Sequence, residues 1–267
     1  MNTILSSILV SVLVVGGIGL IIGIILSITS IIFSVPKNET VEQITEILPG
    51  ANCGACGFSG CSGYAEALAK NKAKVGLCTV GGEEVAHKIS EILGVKVESV
   101  DKKIALVHCM GNTDNTENKA EYIGERSCLS ASTLAKGLTS CEYGCIGFGD
   151  CVNACSFNAI SICKGVAIVD KDKCKGCGTC VITCPRKLIS LVSYKEQAIV
   201  KCSNKDKGAK TRKLCKTGCI GCQKCAKNCP SDAITITDFC AYVDTDKCTS
   251  CKTCVDNCPV GCITFFE

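Results

Sequence analysis

Residues 219 to 230 read Cys219-Ile-Gly-Cys222-Gln-Lys-Cys225-Ala-Lys-Asn-Cys229-Pro230, a C-x2-C-x2-C-x3-C-Pro run. This is the bacterial-type ligand spacing for [4Fe-4S] clusters: the first three cysteines wrap one cubane and the fourth reaches a neighbouring cluster. A second such run is therefore required, and it follows at Cys248, Cys251, Cys254, Cys258 and Pro259. Crossing over groups Cys219, Cys222, Cys225 and Cys258 for one cluster, and Cys229, Cys248, Cys251 and Cys254 for the other.

Towards the N-terminus the same pattern repeats. Adding 74 to Cys128, Cys141, Cys145, Cys151, Cys155, Cys174, Cys177, Cys180 and Cys184 gives Cys202, Cys215, Cys219, Cys225, Cys229, Cys248, Cys251, Cys254 and Cys258. Ala167-Ile-Val-Asp170 likewise matches Ala241-Tyr-Val-Asp244. A single offset held this long marks a tandem duplication of a two-cluster unit. A zinc ribbon would instead pair two C-x2-C knuckles across a longer gap.

The first repeat has a defect. Phe148 stands where the second repeat has the ligand Cys222, and Ser156 replaces the proline after the fourth cysteine. Cys141 is the nearest cysteine, so the expected sets are Cys141, Cys145, Cys151 and Cys184, and Cys155, Cys174, Cys177 and Cys180. Cys215 cannot be explained in that way, because the second repeat already has all eight ligands. For Cys109, Cys128, Cys202 and Cys215 three roles stay open: buried thiols, alternative ligands, or a further cluster. Cys163, Cys240 and Cys262 lie in apolar, strand-like stretches and read as small core residues.

Upstream, residues 3 to 33 carry no charge and are dominated by Ile, Leu, Val and Gly. That exceeds the roughly 20 residues needed to span a bilayer. A cleaved signal peptide would have a basic start and a small-x-small cleavage site, and neither is found. The expectation is one uncleaved transmembrane helix, with Gly16, Gly17, Gly19 and Gly23 open to close helix approach. Cluster-bearing domains belong on the cytoplasmic side, which gives a single-pass protein of the cell (inner) membrane.

Thr40-Val-Glu-Gln43 resembles a capping box opening a helix with Val41, Ile44 and Leu48 on one side, ended by Pro49-Gly50. Cys53-Gly-Ala-Cys56-Gly-Phe-Ser-Gly-Cys61 follows in a glycine-rich loop, and Cys78 returns after a helix expected over residues 64 to 73. Cys53, Cys56, Cys61 and Cys78 form a separate [4Fe-4S] set, which brings the expected total to about five clusters. A helix carrying Val85, Ile89, Ile92 and Leu93 comes next, then strands at Val95 to Val100 and Ile104 to Val107, then a polar surface loop over residues 111 to 126. His87 and His108 have no partner spacing and read as structural.

Composition agrees with small, stapled units. The chain has 267 residues and 27 cysteines, no Trp, and a net charge of +4 too small to imply a nucleic-acid partner. Spacings this short and regular are not a disulfide framework, so a reducing compartment follows. The fold class is α+β: one N-terminal transmembrane helix, a small Fe-S domain, and two tandem bacterial-type two-cluster ferredoxin modules. Expected boundaries are 1–36 for the anchor, 37–98 for the N-terminal [4Fe-4S] domain, 99–127 for short strands and linker, and 128–200 and 201–267 for the modules.

The apolar N-terminal helix, the Cys-Gly-x-Cys-Gly-x3-Cys motif with Cys78, and the ferredoxin repeats together resemble the B subunit of the Rnf complex, in an extended tandem form. The resemblance covers the whole chain and is most specific over its first 95 residues. It implies a subunit of a membrane-bound ferredoxin:NAD oxidoreductase that couples electron flow to Na+ or H+ export. Such a subunit takes electrons from reduced ferredoxin and passes them to membrane subunits and to subunits carrying flavin and NAD sites. The alternative is an anchored adapter for another dehydrogenase or hydrogenase, which needs only the ferredoxin repeats.

No Rossmann fingerprint, P-loop or Ser/His/Asp arrangement is present, so the chain is expected to conduct electrons and to do no substrate chemistry. One run suggests where the donor docks. Residues 201 to 216 hold Lys201, Lys205, Lys207, Lys210, Arg212, Lys213 and Lys216 against Asp206 alone. The matching stretch of the first repeat has only Lys136 and Glu142, so the duplication does not require this charge. A basic patch steers an acidic partner such as a small ferredoxin.

Overall fold

The computed structural model describes residues 2–32, 38–96, 101–195 and 197–266. Two compact units divide the chain, Met1–Gln43 and Ile44–Glu267.

In the first unit, the uncharged run forms helix α1 (Asn2–Ile32), 31 residues long. At 1.5 Å per residue it extends about 46 Å, more than the ~30 Å hydrocarbon core of a bilayer. Its stretch Val12–Thr29 is apolar enough to cross a membrane, and none of it is buried. Helix α2 (Glu39–Ile47) starts one residue earlier than the expected box. Asn38 is the cap, its Oδ1 accepting the Thr40 N–H at 3.1 Å, while Thr40 sits inside the first turn.

The second unit begins with Ile44 and Leu48 buried beside Tyr64, Leu68, Ala86 and Ile89. Tyr64 and Leu68 come from α3 (Cys61–Ala69), which ends four residues short of expectation, and Ala86 and Ile89 from α4 (Gly82–Leu93). The expected strand at Val95 to Val100 does not form at residues 95 and 96, and residues 97–100 lie outside the described residues.

The remaining elements are β1 (Lys103–Val107), α5 (Cys128–Ala135), α6 (Asp150–Asn153), β2 (Ile160–Cys163), β3 (Val166–Val169), α7 (Thr179–Thr183), β4 (Ile189–Ser193), β5 (Gln197–Val200), α8 (Gly208–Leu214), α9 (Lys224–Lys227), β6 (Ile234–Thr237), β7 (Cys240–Val243), α10 (Thr253–Asp256) and β8 (Ile263–Phe266). The strands pair as four antiparallel ribbons, β1 with β4, β2 with β3, β5 with β8, and β6 with β7. Two-stranded ribbons are marginal alone in water. Here each repeat packs two of them onto a small core threaded with cysteines: Ile104, Val107, Ile160, Ala167 and Ile189 with Cys151, Cys174 and Cys180 in the first, and Ala198, Val200, Ile234, Ala241 and Ile263 with Cys219, Cys225 and Cys254 in the second.

Pairing also revises where each repeat starts. Val107 faces Ile189 and Val200 faces Ile263. Ile263 lies 74 residues after Ile189, but Val200 lies 93 after Val107, so the first repeat has 19 extra residues behind its opening strand. Strand β1, in the stretch expected to be linker, belongs to the sheet of the first repeat. Strand β5, placed by the repeat boundary in the first module, pairs into the second. The segment read as a surface loop is fastened to the second repeat: Thr116 is buried, its Oγ1 donating to Leu214 O at 2.7 Å, and Lys216 N–H donates to Asn115 O at 2.9 Å.

Candidate metal centres

The glycine-rich loop places Cys53, Cys56 and Cys61 with Cys78 around a cavity of about 330 Å³, bounded by Leu48, Tyr64 and Val80. Asn52 sets the loop's exit, its Oδ1 accepting the Cys61 N–H at 2.8 Å where α3 begins. Gly60 has φ +99°, and a Cβ there would lie 2.8 Å from that same Oδ1, so only glycine fits. The return strand is held by Tyr64, whose hydroxyl donates to Lys74 O at 2.8 Å and accepts from Leu77 N–H at 3.2 Å, one residue before Cys78.

In the second repeat, Cys219, Cys222, Cys225 and Cys258 line one cavity of about 300 Å³. Cys229, Cys248, Cys251 and Cys254 line another of about 310 Å³. In the first repeat, Cys155, Cys174, Cys177 and Cys180 form the counterpart of the latter group: burial, then the charges of Cys177, Cys174 and Cys155, push the Cys180 thiol up to about 11.

The remaining set differs from the sequence expectation. Cys128, not Cys141, joins Cys145, Cys151 and Cys184 around a cavity of about 400 Å³. Asp150 is the cause. Its carboxylate accepts the N–H groups of Cys128 at 2.9 Å and Leu129 at 3.2 Å and the Ser127 hydroxyl at 3.0 Å, drawing the start of α5 against the start of α6, which carries Cys151. Cys141 is turned elsewhere; its Sγ accepts the Asn204 side-chain N–H of the second repeat at 3.4 Å. Nearness in sequence favoured Cys141, but a helix N-terminus brings in Cys128, whose N–H is bound by Asp150, 22 residues away.

The electrostatics of these groups suit a highly charged core. Burial, then Cys145, Cys128 and Cys184, push the Cys151 thiol up to about 12. Burial likewise leads in raising Cys225 and Cys254 to about 11, with the other sulfurs of each set adding to it. Crowding of like charges and burial both disfavour the thiolate form of these buried members. The sulfurs surround volumes instead of converging on a point, and among the described residues no group of three or more His, Cys, Asp or Glu is placed to hold a single ion. An iron-sulfide cubane fits such a shell better than a lone zinc.

Sequence reading missed a further role. Cys262 is buried with its sulfur 3.7 Å from Cys258 Sγ. Its thiol hydrogen bonds to Cys258 and Cys219 lower both of those groups and raise its own. The Cys240 thiol is raised as well, by its interaction with Cys202 and Cys219 and by burial. Cys262 thus lies against a neighbouring sulfur and Cys240 donates its S–H to Cys202 O at 3.3 Å, whereas Cys163 is exposed. Neighbouring thiols can be found only once the fold is known.

Residues 48–80 match a family model for an Fe-S cluster, and residues 173–233 and 218–262 match the 4Fe-4S dicluster domain. Relatives align over nearly the whole chain. The B subunit of the Na(+)-translocating ferredoxin:NAD(+) oxidoreductase complex of Acetobacterium woodii is 43% identical over 91% of this chain and 73% of its own length. The B subunit of the ion-translocating oxidoreductase complex of Methanosarcina acetivorans is 40% identical over 91% and 93%. The B subunit of the proton-translocating ferredoxin:NAD(+) oxidoreductase complex of Clostridium ljungdahlii is 38% identical over 91% and 85%. With this identity and coverage, and with 4Fe-4S dicluster matches over residues 173–262, the chain belongs to the B subunits of the Rnf complex, as an iron-sulfur electron-transfer subunit of an ion-translocating ferredoxin:NAD oxidoreductase.

Proposed function

We propose that the five cysteine groups described above, with Cys128 in place of Cys141, each hold one [4Fe-4S] cluster. The subunit accepts electrons from reduced ferredoxin and delivers them to partner subunits of the complex that carry NAD and flavin sites. The observation that carries the reading is the gathering of four sulfurs in every group, including the one whose sequence motif is broken at Phe148. When bound, such a cluster supplies one-electron redox chemistry at low potential. The chain's own residues hold and tune it: backbone N–H groups such as Ala105 N, 3.3 Å from Cys174 Sγ, stabilise charge on sulfur, and Ile and Val side chains of the small cores keep water away. Helix α1 anchors the subunit in the cell membrane, with the cluster-bearing unit on the cytoplasmic side, where ferredoxin is available.

Helix α8 is the proposed docking face. Part of the basic run is used internally: Lys205 pairs with Asp238 at 3.2 Å, Lys210 with Asp206 at 2.8 Å, and Lys216 Nζ donates to Asp114 O at 3.0 Å. Lys207, Arg212 and Lys213 are exposed and leave a smaller basic face than the sequence suggests.

Anaerobic purification with iron, sulfide and zinc analysis tests the cluster assignment. At least about twenty irons per chain are expected from five cubanes. Fewer than about sixteen, or stoichiometric zinc, would refute it.

A further inference from the structure

The geometry points to one more cluster site, a sixth four-thiolate shell for a [4Fe-4S] core, formed by Cys109, Cys141, Cys202 and Cys215 at the junction of the two repeats. None of these belongs to the five groups above, and all four line one cavity of about 380 Å³ with Gly111, Asn204 and Thr217. That volume falls between the 300 and 400 Å³ of the other cysteine cavities. A Cβ built on Gly111 would sit 3.6 Å from Cys109 Sγ and 3.7 Å from Cys215 Sγ, so sulfurs from both repeats converge on the same space.

The four residues are two matched pairs. Cys109 stands two residues beyond the end of β1, and Cys202 two beyond the end of β5. Each sulfur is held by the same two kinds of donor. Gly111 N–H at 3.4 Å and Cys145 N–H at 3.3 Å point to Cys109 Sγ; Asn204 N–H at 3.5 Å and Cys219 N–H at 3.2 Å point to Cys202 Sγ. Cys141 and Cys215 are both buried, four residues before Cys145 and Cys219 respectively, and each opens a tight turn closed by Gly144 N–H or Gly218 N–H. The offset of 74 conceals the first pair, since it aligns Cys202 with Cys128; the strands align it with Cys109.

This arrangement accounts for Cys215, which no ligand deficit in the second repeat requires. Backbone N–H groups directed at two sulfurs, with the Asn204 side chain directed at a third, are what a thiolate-held core needs around it. The junction is also fixed from both sides: Ser203 Oγ donates to His108 O at 3.2 Å, and a His108 ring nitrogen meets Val200 O at 2.8 Å. Only the nature of the core rests on the reading of the chain as a multi-cluster subunit; the shell itself does not.

The test uses full-length protein, purified anaerobically, with iron, sulfide and zinc analysis and EPR of the reduced state. Wild-type protein is expected to hold about 24 irons, and Cys109→Ala, Cys141→Ala, Cys202→Ala and Cys215→Ala should each lose about four and the same EPR component. The double variant Cys141→Ala/Cys215→Ala should lose no more than either single one, because both remove one centre. Cys163→Ala, outside every group, should keep all the iron, and retention of the other signals reports that the fold survives. Wild-type iron near twenty with unchanged variants, additive losses in the double variant, or zinc bound at the junction would each overturn the proposal. Cys225→Ala separately tests the five-site reading: loss of about four irons there, with none at the junction, leaves that reading standing alone.

Discussion

The carboxylate of Asp150 accepts the backbone N–H of Cys128 at 2.9 Å, across 22 residues of chain. This contact brings a fourth cysteine to a group whose own motif has three. Burial acts to raise the Asp150 pKa, but N–H donors from Cys128 and Leu129 outweigh it and hold the carboxyl below its ordinary value. Asp150→Ala should therefore cost about 1 kcal/mol, the usual value of a lost N-cap. Iron should leave this site roughly fivefold faster under chelator challenge, followed by its EPR signal. Because the native pKa is depressed, the stabilisation is in force above the unfolded value of about 4 and fades as pH falls through the native one. Equal chelation rates for variant and wild type would show that Asp150 does not position Cys128.

Phe148 occupies the position of the missing ligand. Its ring packs tilted against Tyr122, centroids 5.5 Å apart and planes at 50°, and lies under the Arg126 guanidinium, also at 5.5 Å. Cys128→Ala should cost one cluster, about four irons. Adding Phe148→Cys to that variant should restore the spacing seen in the second repeat and with it the lost iron. If Cys128→Ala retains its full iron content, the first group does not use Cys128.

In the second repeat Cys262 lies beside the first group, its sulfur 3.7 Å from Cys258 Sγ. Cys262 and Cys240 correspond to Leu188 and Val166 in the first. A hydrogen bond to a ligand sulfur stabilises the more negative reduced cluster and raises its potential. Cys262→Leu should thus lower the midpoint of the cluster at Cys219, Cys222, Cys225 and Cys258, read by EPR-monitored redox titration, without loss of iron. An unchanged midpoint would leave Cys262 as packing alone.

The exposed cations of α8 give a kinetic prediction. Reversing Lys207, Arg212 and Lys213 to Glu should slow reduction by ferredoxin in stopped-flow, most at low salt, where surface charges are least screened. Reduction by a neutral small donor should stay as it was. Wild-type rates with ferredoxin at low salt would move the docking face elsewhere.

Much of the molecule was legible in the cysteine spacing, because a cubane binds through short, fixed intervals that need no knowledge of the fold. The spacing alone grouped the cysteines that line common cavities at Cys53, at Cys219 and at Cys229, and the uncharged run marked out the long apolar helix. Where ligands come from distant segments the spacing is silent. Cys128 reaches its group through a helix start capped by Asp150, and Cys109 corresponds to Cys202 only after strands β1 and β5 are recognised as equivalent. The 19 residues that separate β1 from the rest of its repeat hide that equivalence from any single offset.

A chain with one such repeat would hold half of the junction, one strand-end cysteine and one turn cysteine. Two copies meeting through an isologous contact would set each pair against its counterpart and complete the shell. In the tandem chain both pairs already lie on a single polypeptide and line one cavity. Assembly of the junction is then intramolecular, governed by an effective concentration within the chain and not by how many copies the cell contains.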